Sequence, residues 1–318
     1  FNARSATAIL VMLAAATSNA LAQAWPSKPI KVVTIAAGGG LDIALRAMTP
    51  VMGAGLGQPL VVDNRASTSR LEQAILTAPA DGYTILYWAN GFWLNPFLSS
   101  NAKYDPVKEF APISLTHASP NVLVVPLSLP AKSVQELVAL AKAKPGELNF
   151  GRTANPGGSN TLAALMFTAV TGIQLQEILY KDTNQIINDV AAGRSHVGFP
   201  GLAGTLPLIK AGKLRALAIT STERSELAPD LPTMISIYPD YDANSVQALF
   251  AAAATPPAII SRLHQESVKA VFHPEVKGKL LALGIDPVGS TPQQLTAFML
   301  SDMKKMGKVI KDKGLKSD

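Results

Sequence analysis

The stretch Ile30–Met48, IKVVTIAAGGGLDIALRAM, decides the fold. Ile30, Val32, Val33 and Ile35 supply the β-branched side chains of a buried strand. Gly38, Gly39 and Gly40 let the backbone turn sharply and bring bare N–H groups close to a ligand. Leu41, Leu45, Met48 and Met52 then recur at helical spacing. A strand feeding a helix through such a turn makes an anion site, since unpaired N–H groups and the helix dipole converge there.

Outward from this unit the pattern repeats. Leu60–Asp63 is a second short strand, closed by Asn64-Arg65. The small polar loop Ala66-Ser67-Thr68-Ser69 follows, and Ser69-Arg70-Leu71-Glu72 reads as a capping box opening a helix. Tyr83–Ala89 is a third strand, ended by Asn90-Gly91. Strands alternating with helices at this spacing predict a parallel α/β sheet.

A second set of junctions follows. Val122–Val125 and Leu148–Gly151 read as strands, and Ser133 and Glu136 cap the helix between them. The glycine-containing loop Thr153–Asn160 leads into a helix over Thr161–Val170. Glu177–Tyr180, His196–Phe199 and Leu214–Thr220 are further strands, with Gly193 and Gly212 at expected helix ends. Gln247–Ala253 is an apolar run that returns the chain to the first unit. The remainder is mainly helical, its last helix opened by Thr291-Pro292-Gln293-Gln294. Two α/β lobes result, with a cleft between them suited to a small molecule.

The chain of 318 residues is 48% apolar and 16% charged, which describes a well-cored globular protein. The absence of cysteine excludes thiol catalysis, disulfides and cysteine-ligated metals. The net charge of +6 is scattered, apart from lysines on the last helix that read as a solvated face, so no nucleic-acid partner is expected. At the N-terminus Arg4, the apolar run Ala8–Ala16 and the small residues Ala20, Ala22 and Ala24 form a secretory signal peptide over residues 1–24. The apolar run is well short of the ~20 residues that span a bilayer. An exported, periplasmic protein is expected.

Three chemistries compete for the glycine turn. A dinucleotide site would suit Asp63 at the end of the second strand, but Ile43 stands where the third glycine belongs. Hydrolysis lacks a nucleophile elbow, and His117, His196, His264 and His273 show no metal-ligand spacing. An exported enzyme therefore has no constellation to rest on, and neither a cofactor nor a metal is expected. Anion capture without chemistry fits best, because Gly38–Gly40 and Ser67–Ser69 in one lobe face Arg152–Asn160 and Lys181–Thr183 in the other.

WPSKPIKVV, LGQPLVVDNR, APADGYTILY, YDPVKEFAPISL, LPAKSVQELVALAKAKPGELNFG and IKAGKLRALAIT resemble the Bug family, the solute receptors of tripartite tricarboxylate transporters. The likeness runs over nearly the whole chain after residue 24. It implies a two-lobed periplasmic binding protein fold of type II: two parallel-rich α/β domains with a hinge and a ligand cleft. It places domain 1 at residues 25–123 plus 246–318 and an inserted domain 2 at 124–245. It also implies closure on a carboxylate, delivery to the membrane components of a transporter, and no catalysis; a monomer is expected. By position it points to Gly38, Gly39, Gly40 and Asp42 as carboxylate contacts.

Departures from the family pattern fall around the site. Leu41 stands where relatives place a threonine, Ser67-Thr68-Ser69-Arg70 replaces a glycine-rich loop, and Lys181-Asp182-Thr183 replaces Lys-Gly-Gly. Trp88 and Phe92 flank Asn90 at the end of the third strand and would suit a flat ligand, or else fill the core. Arg70 and Arg152 come from opposite lobes and could each take a carboxylate bidentately, or stand solvated. With Thr153, Asn155, Ser159, Asn160 and Lys181 these complete the expected binding set. The expected ligand is an aromatic mono- or dicarboxylate such as terephthalate, with an aliphatic di- or tricarboxylate as the alternative.

Overall fold

The computed structural model describes residues 25–316 apart from 36, 38–39, 66–67, 154–156, 242 and 244, and gives only the backbone of Gly40, Thr68 and Ser69. The expected signal peptide and the candidate residues Gly38, Gly39, Ser67 and Asn155 lie outside the described residues.

The N-terminal strand–helix pattern is realised as β1 (Ile30–Ile35), α1 (Gly40–Leu56), β2 (Leu60–Arg65), α2 (Thr68–Leu76) and β3 (Thr84–Ala89). Strands β2 and β3 flank β1, and both pair with it in parallel. Helix α1 continues through Pro50, which has no N–H for the carbonyl of Arg46. The hydroxyl of Thr49 turns to that carbonyl at 3.5 Å.

The sheet then departs from the parallel expectation. Strands β4 (Phe110–Ala118), β9 (Val246–Ala252) and β10 (Asp286–Pro287) complete the order β10-β4-β9-β3-β1-β2, and β9 runs antiparallel to both neighbours. The chain leaves this sheet after β4 and re-enters it at the centre. The two crossing segments lie side by side, with the Ser119 N–H donating to the Ser245 carbonyl at 2.7 Å.

Strands β5 (Val122–Val125), β6 (Asn149–Thr153), β7 (Gln176–Tyr180) and β8 (Arg215–Ile219) fall between the crossings and form the separate pairs β5–β8 and β6–β7. The strand expected at His196–Phe199 is reduced to bridges, Val197 with Phe150 and Gly198 with Val124, which link the two pairs. Around them lie α4 (Val134–Ala143), α5 (Ser159–Thr171), α6 (Thr183–Ala191), α7 (Leu202–Lys210) and the short α8 (Met234–Ile237).

One face of the main sheet buries Leu45, Met48 and Met52 of α1 against Ile30, Val32 and Ile85, together with Leu263 and Val271 of α9 (Pro257–Phe272). Helix α10 (Pro274–Ala282) closes this face with Val276 and Leu280. The other face packs α2, α3 (Gly91–Leu98) and α11 (Pro292–Asp312). Helix α11 starts with the expected capping box, Thr291 and Gln294 exchanging bonds of 2.8 and 3.1 Å. The helix expected to open at Ser69 begins at Thr68, and Glu72 accepts from Asn95 of α3 at 3.0 Å.

Helix α3 is an element that the sequence concealed. Gly91, Asn95 and Pro96 read as breakers, yet Phe92, Trp93, Leu94 and Leu98 are buried. Tertiary burial overrides the weak local propensity. The Trp93 indole donates to the Asp302 carboxylate of α11 at 2.6 Å, with both residues fully enclosed. Gly307 lets α11 approach α3 so closely that a Cβ there would stand 2.7 Å from the Phe97 ring. Trp93→Phe removes the donor and strips a buried carboxylate of one partner. It is expected to cost about 2–3 kcal/mol of unfolding free energy, measured by urea denaturation followed by circular dichroism.

Candidate functional site

The fold brings several loop–helix junctions to one place. A cleft of about 320 Å³ opens between the two groups of strands. Leu41 lines it from the start of α1, Ser159 and Asn160 from the start of α5, Thr183 from the start of α6, and Leu202 and Ala203 from the start of α7. The crossing segments contribute Ser119, Pro120, Asn121, Ser245 and Gln247, and the turn after α10 contributes Leu283, Gly284 and Ile285.

Helices α5 and α7 are preceded by Gly158 and Gly201, and no side chain caps either one. Their starts line the cleft and set the positive ends of their dipoles there, although the Leu202 N–H of α7 is already taken by the Pro120 carbonyl at 2.9 Å. Helix α6 is capped instead by Asp182, which accepts from the Gln185 N–H at 3.0 Å. Among the described lining residues none carries a charge.

Two carboxamides sharpen the picture. Asn121 and Asn160 are 3% and 7% exposed. Asn121 Oδ1 accepts from Ser159 at 3.4 Å, and Asn160 Oδ1 accepts from Thr153 at 3.3 Å. Among the described residues neither Nδ2 has a hydrogen-bond partner. A buried unsatisfied donor costs about 1–3 kcal/mol, so two in one cleft mark where an acceptor belongs.

The turn after α10 closes one side. Gly284 has a φ of +72°, and a Cβ on it would lie 2.0 Å from the Ala203 Cβ at the start of α7. Nearby, Ser225 donates to Asp286 at 3.0 Å and Lys277 pairs with Glu226 at 2.8 Å. These contacts join the second group of strands to the first beside the cleft. Burial and the neighbouring Glu226 raise the Asp286 carboxyl above its ordinary range, against the lowering bonds from Ser225 and Glu226.

Of the residues expected from sequence, Ser159 and Asn160 line the cleft, and Thr153 orients Asn160. Gly40 opens α1 beside it. Asp42 is turned away: it accepts from Arg46 at 3.0 Å and from Asn64 at 2.9 Å, while Asn64 also donates to the Ile35 carbonyl. It braces the two ends of the glycine turn. Thr68 and Ser69 lie in the first turn of α2. Arg70 follows them and lines a separate hollow with Lys31 and Arg65 that shares no residue with the cleft.

The aromatic platform is not assembled. Phe92 is fully buried and packs against Tyr104, Phe110 and Phe250, and Trp88 is 7% exposed beside it. Helix α3 points Phe92 into the core, and β3 does the same for Trp88. Asn90 is half-buried, its N–H donating to the Val246 carbonyl. Arg152 pairs with Glu177 at 2.7 Å, and Lys181 is exposed ahead of α6. Sequence reasoning missed Asn121, Ser119 and Gln247, single polar residues at the ends of apolar strands.

With the site in view, the class is defined. This is a two-lobed periplasmic binding protein fold, of the kind that holds a solute between two α/β units. The chain belongs to the TctC family, the tripartite tricarboxylate transporter family receptors, whose model matches residues 44–315. It is 31% identical to protein BugT of Bordetella pertussis over 314 residues, which cover 97% of this chain and 96% of that one. The structure of Rhodopseudomonas palustris Rpa4515 with adipate is 29% identical, covers 92% of this chain and 99% of its own, and superposes with a TM-score of 0.69. A ligand-free TctC solute binding protein from Polaromonas shares the fold at a TM-score of 0.83, with 23% identity over 91% of this chain and 99% of its own.

His117 lies in β4 beneath the site. It is fully buried, bonded to the Tyr87 hydroxyl at 2.9 Å and the Thr116 hydroxyl at 2.8 Å, and burial pushes it down to about 3. It stays neutral in the folded protein where the unfolded chain, near 6.5, takes up a proton. Its contribution to stability is therefore present above pH 6.5 and is lost as pH falls towards 3. The stability advantage of wild type over His117→Gln is expected to shrink across that window, in urea denaturations at stepped pH. A constant difference would refute neutral burial.

Proposed function

We propose that this chain is an exported, monomeric receptor that captures a small carboxylate in the cleft and presents it to the membrane components of a transporter, without turnover. The moving units in this reading are residues 25–123 plus 246–318 and the inserted 124–245, which close on the solute by bending at the paired crossings. The small-residue pattern at residues 20–24, within the expected signal peptide, supports a periplasmic location.

The observation that carries the reading is the pair of buried Nδ2 donors on Asn121 and Asn160, set among the starts of α5 and α7. Such an array solvates a carboxylate with neutral dipoles, and a low-dielectric cleft strengthens each bond. Leu41, Leu202, Leu283 and Ile285 offer apolar surface to the rest of the solute. The finer reading of an aromatic dicarboxylate such as terephthalate draws on Trp88 and Phe92 together with Arg70 and Arg152. With those rings in the core, an aliphatic carboxylate suits the lining better. Rpa4515, with its bound adipate, supports the same class.

Isothermal titration of the purified protein against aliphatic acids and terephthalate tests this. Aliphatic acids are expected to bind with one-to-one stoichiometry and terephthalate more weakly; the reverse order would sink the aliphatic assignment. Asn160→Asp places an anion among the donors and is expected to weaken carboxylate binding by about 100-fold. Closure is checked separately by small-angle scattering, in which saturating ligand should reduce the radius of gyration. An unchanged radius would count against bending at the crossings.

A further inference from the structure

Three carboxamides line the cleft, and each is engaged at one end only. Asn121 and Asn160 present their nitrogens, as described. Gln247 has the opposite polarity. Its Nε2 donates to the Ser119 hydroxyl at 3.3 Å, and its Oε1 is buried with no hydrogen-bond partner among the described residues. The residue is 7% exposed and stands near the start of β9, in register with Ala89 on one side and His117 on the other. Its own carbonyl accepts from the Thr116 hydroxyl at 3.1 Å. The backbone is thus fixed by both neighbouring strands, and the side chain by Ser119.

A cleft holding two unsatisfied donors and one unsatisfied acceptor is complementary to a ligand with the converse groups. The carboxylate answers the donors. Gln247 Oε1 requires a donor, and the lining determines which kind. No cation lines the cleft among the described residues, so a second carboxylate would meet a carbonyl oxygen with no neutralising charge. No acid lines it either, so an ammonium would lack a counter-charge. A hydroxyl or an amide N–H remains.

We propose that Gln247 is a specificity residue whose Oε1 accepts from a neutral donor on the ligand, restricting the cleft to carboxylates that carry a hydroxyl or amide N–H. This rests on the carboxylate-receptor reading above. A site built to hydrogen-bond a hydroxyl discriminates against the analogue that lacks it, because the buried acceptor is then left unpaired.

Titration of the full chain with hexanoate, 2-hydroxyhexanoate, 6-hydroxyhexanoate and adipate tests the assignment. In wild type one hydroxy acid is expected to bind about ten-fold or more tightly than hexanoate, and adipate no more tightly than hexanoate. In Gln247→Met, which keeps the length and loses the acceptor, the ratio of hydroxy acid to hexanoate should fall to about one. Gln247→Glu keeps an acceptor oxygen and should retain a ratio above one. Circular dichroism melts establish that each variant is folded; should Gln247→Met fail to fold, the ratio in Gln247→Glu decides. Wild type favouring adipate, a ratio that survives in Gln247→Met, or one lost in Gln247→Glu would overturn the proposal. Hexanoate binding without any hydroxyl preference overturns the Gln247 assignment alone. Failure of all four acids to bind overturns the carboxylate reading and this inference with it.

Discussion

The architecture depends on β9. This strand enters the middle of the main sheet, antiparallel to β3 and β4, and buries Val246 through Ala251. Because it lies between strands laid down much earlier in the chain, everything from Ser119 to Ser245 becomes a closed excursion. Both ends of that excursion must sit side by side, and the Ser119–Ser245 bond records it. The cleft forms at the foot of the excursion. Its floor is made by the residues of the crossing, Ser119, Asn121, Ser245 and Gln247. The strand that holds the sheet together therefore also delivers polar groups to the site.

In the proposed reading, the site holds an anion without formal charge. Fixed cations in a cleft carry a desolvation cost when water is excluded and bind any anion that fits. Backbone N–H groups and carboxamides are directional, so they select by geometry, and their cost when unpaired is borne by the open protein. The arginines of the cleft's surroundings are used elsewhere. Arg46 holds Asp42 and Asn64, and Arg152 is tied to Glu177. The Asp42–Arg46–Asn64 group ties the end of β1 to the start of α1, which braces the connection between them.

The scaffold was legible where local chemistry is self-sufficient. The helix that follows the glycine run, the capping box at Thr291 and the returning strand at Gln247–Ala253 all appear close to where sequence places them. Legibility failed where a residue's role is decided by distant partners. Phe92 reads as a candidate ligand contact because Gly91 and Pro96 hide a helix that is held by distant partners, among them Phe110, Phe250 and, on α11, Asp302. Asn121 carries no periodic signal, and its importance comes from Ser159, a neighbour distant along the chain. Glu72 fits a capping box by spacing, yet Asn95 holds it. Ser159, Asn160 and Thr183 line the cleft from junctions legible in the sequence, while Arg70 faces a separate hollow and Asn121 and Gln247 carry no signal.

The placement of the indoles has a spectroscopic consequence. The chain has three tryptophans, Trp25, Trp88 and Trp93, and all belong to the part of the molecule built on the main sheet. The excursion from Ser119 to Ser245 contains tyrosines, Tyr180, Tyr238 and Tyr241, but no indole. Tryptophan emission thus views one half of the molecule from within, with Trp93 sealed against Asp302 as an internal standard. Tyrosine absorption samples both halves, through Tyr83, Tyr87 and Tyr104 in one and Tyr180, Tyr238 and Tyr241 in the other. Indole emission alone is therefore selective, and it reports loosening of the main-sheet half with no added label.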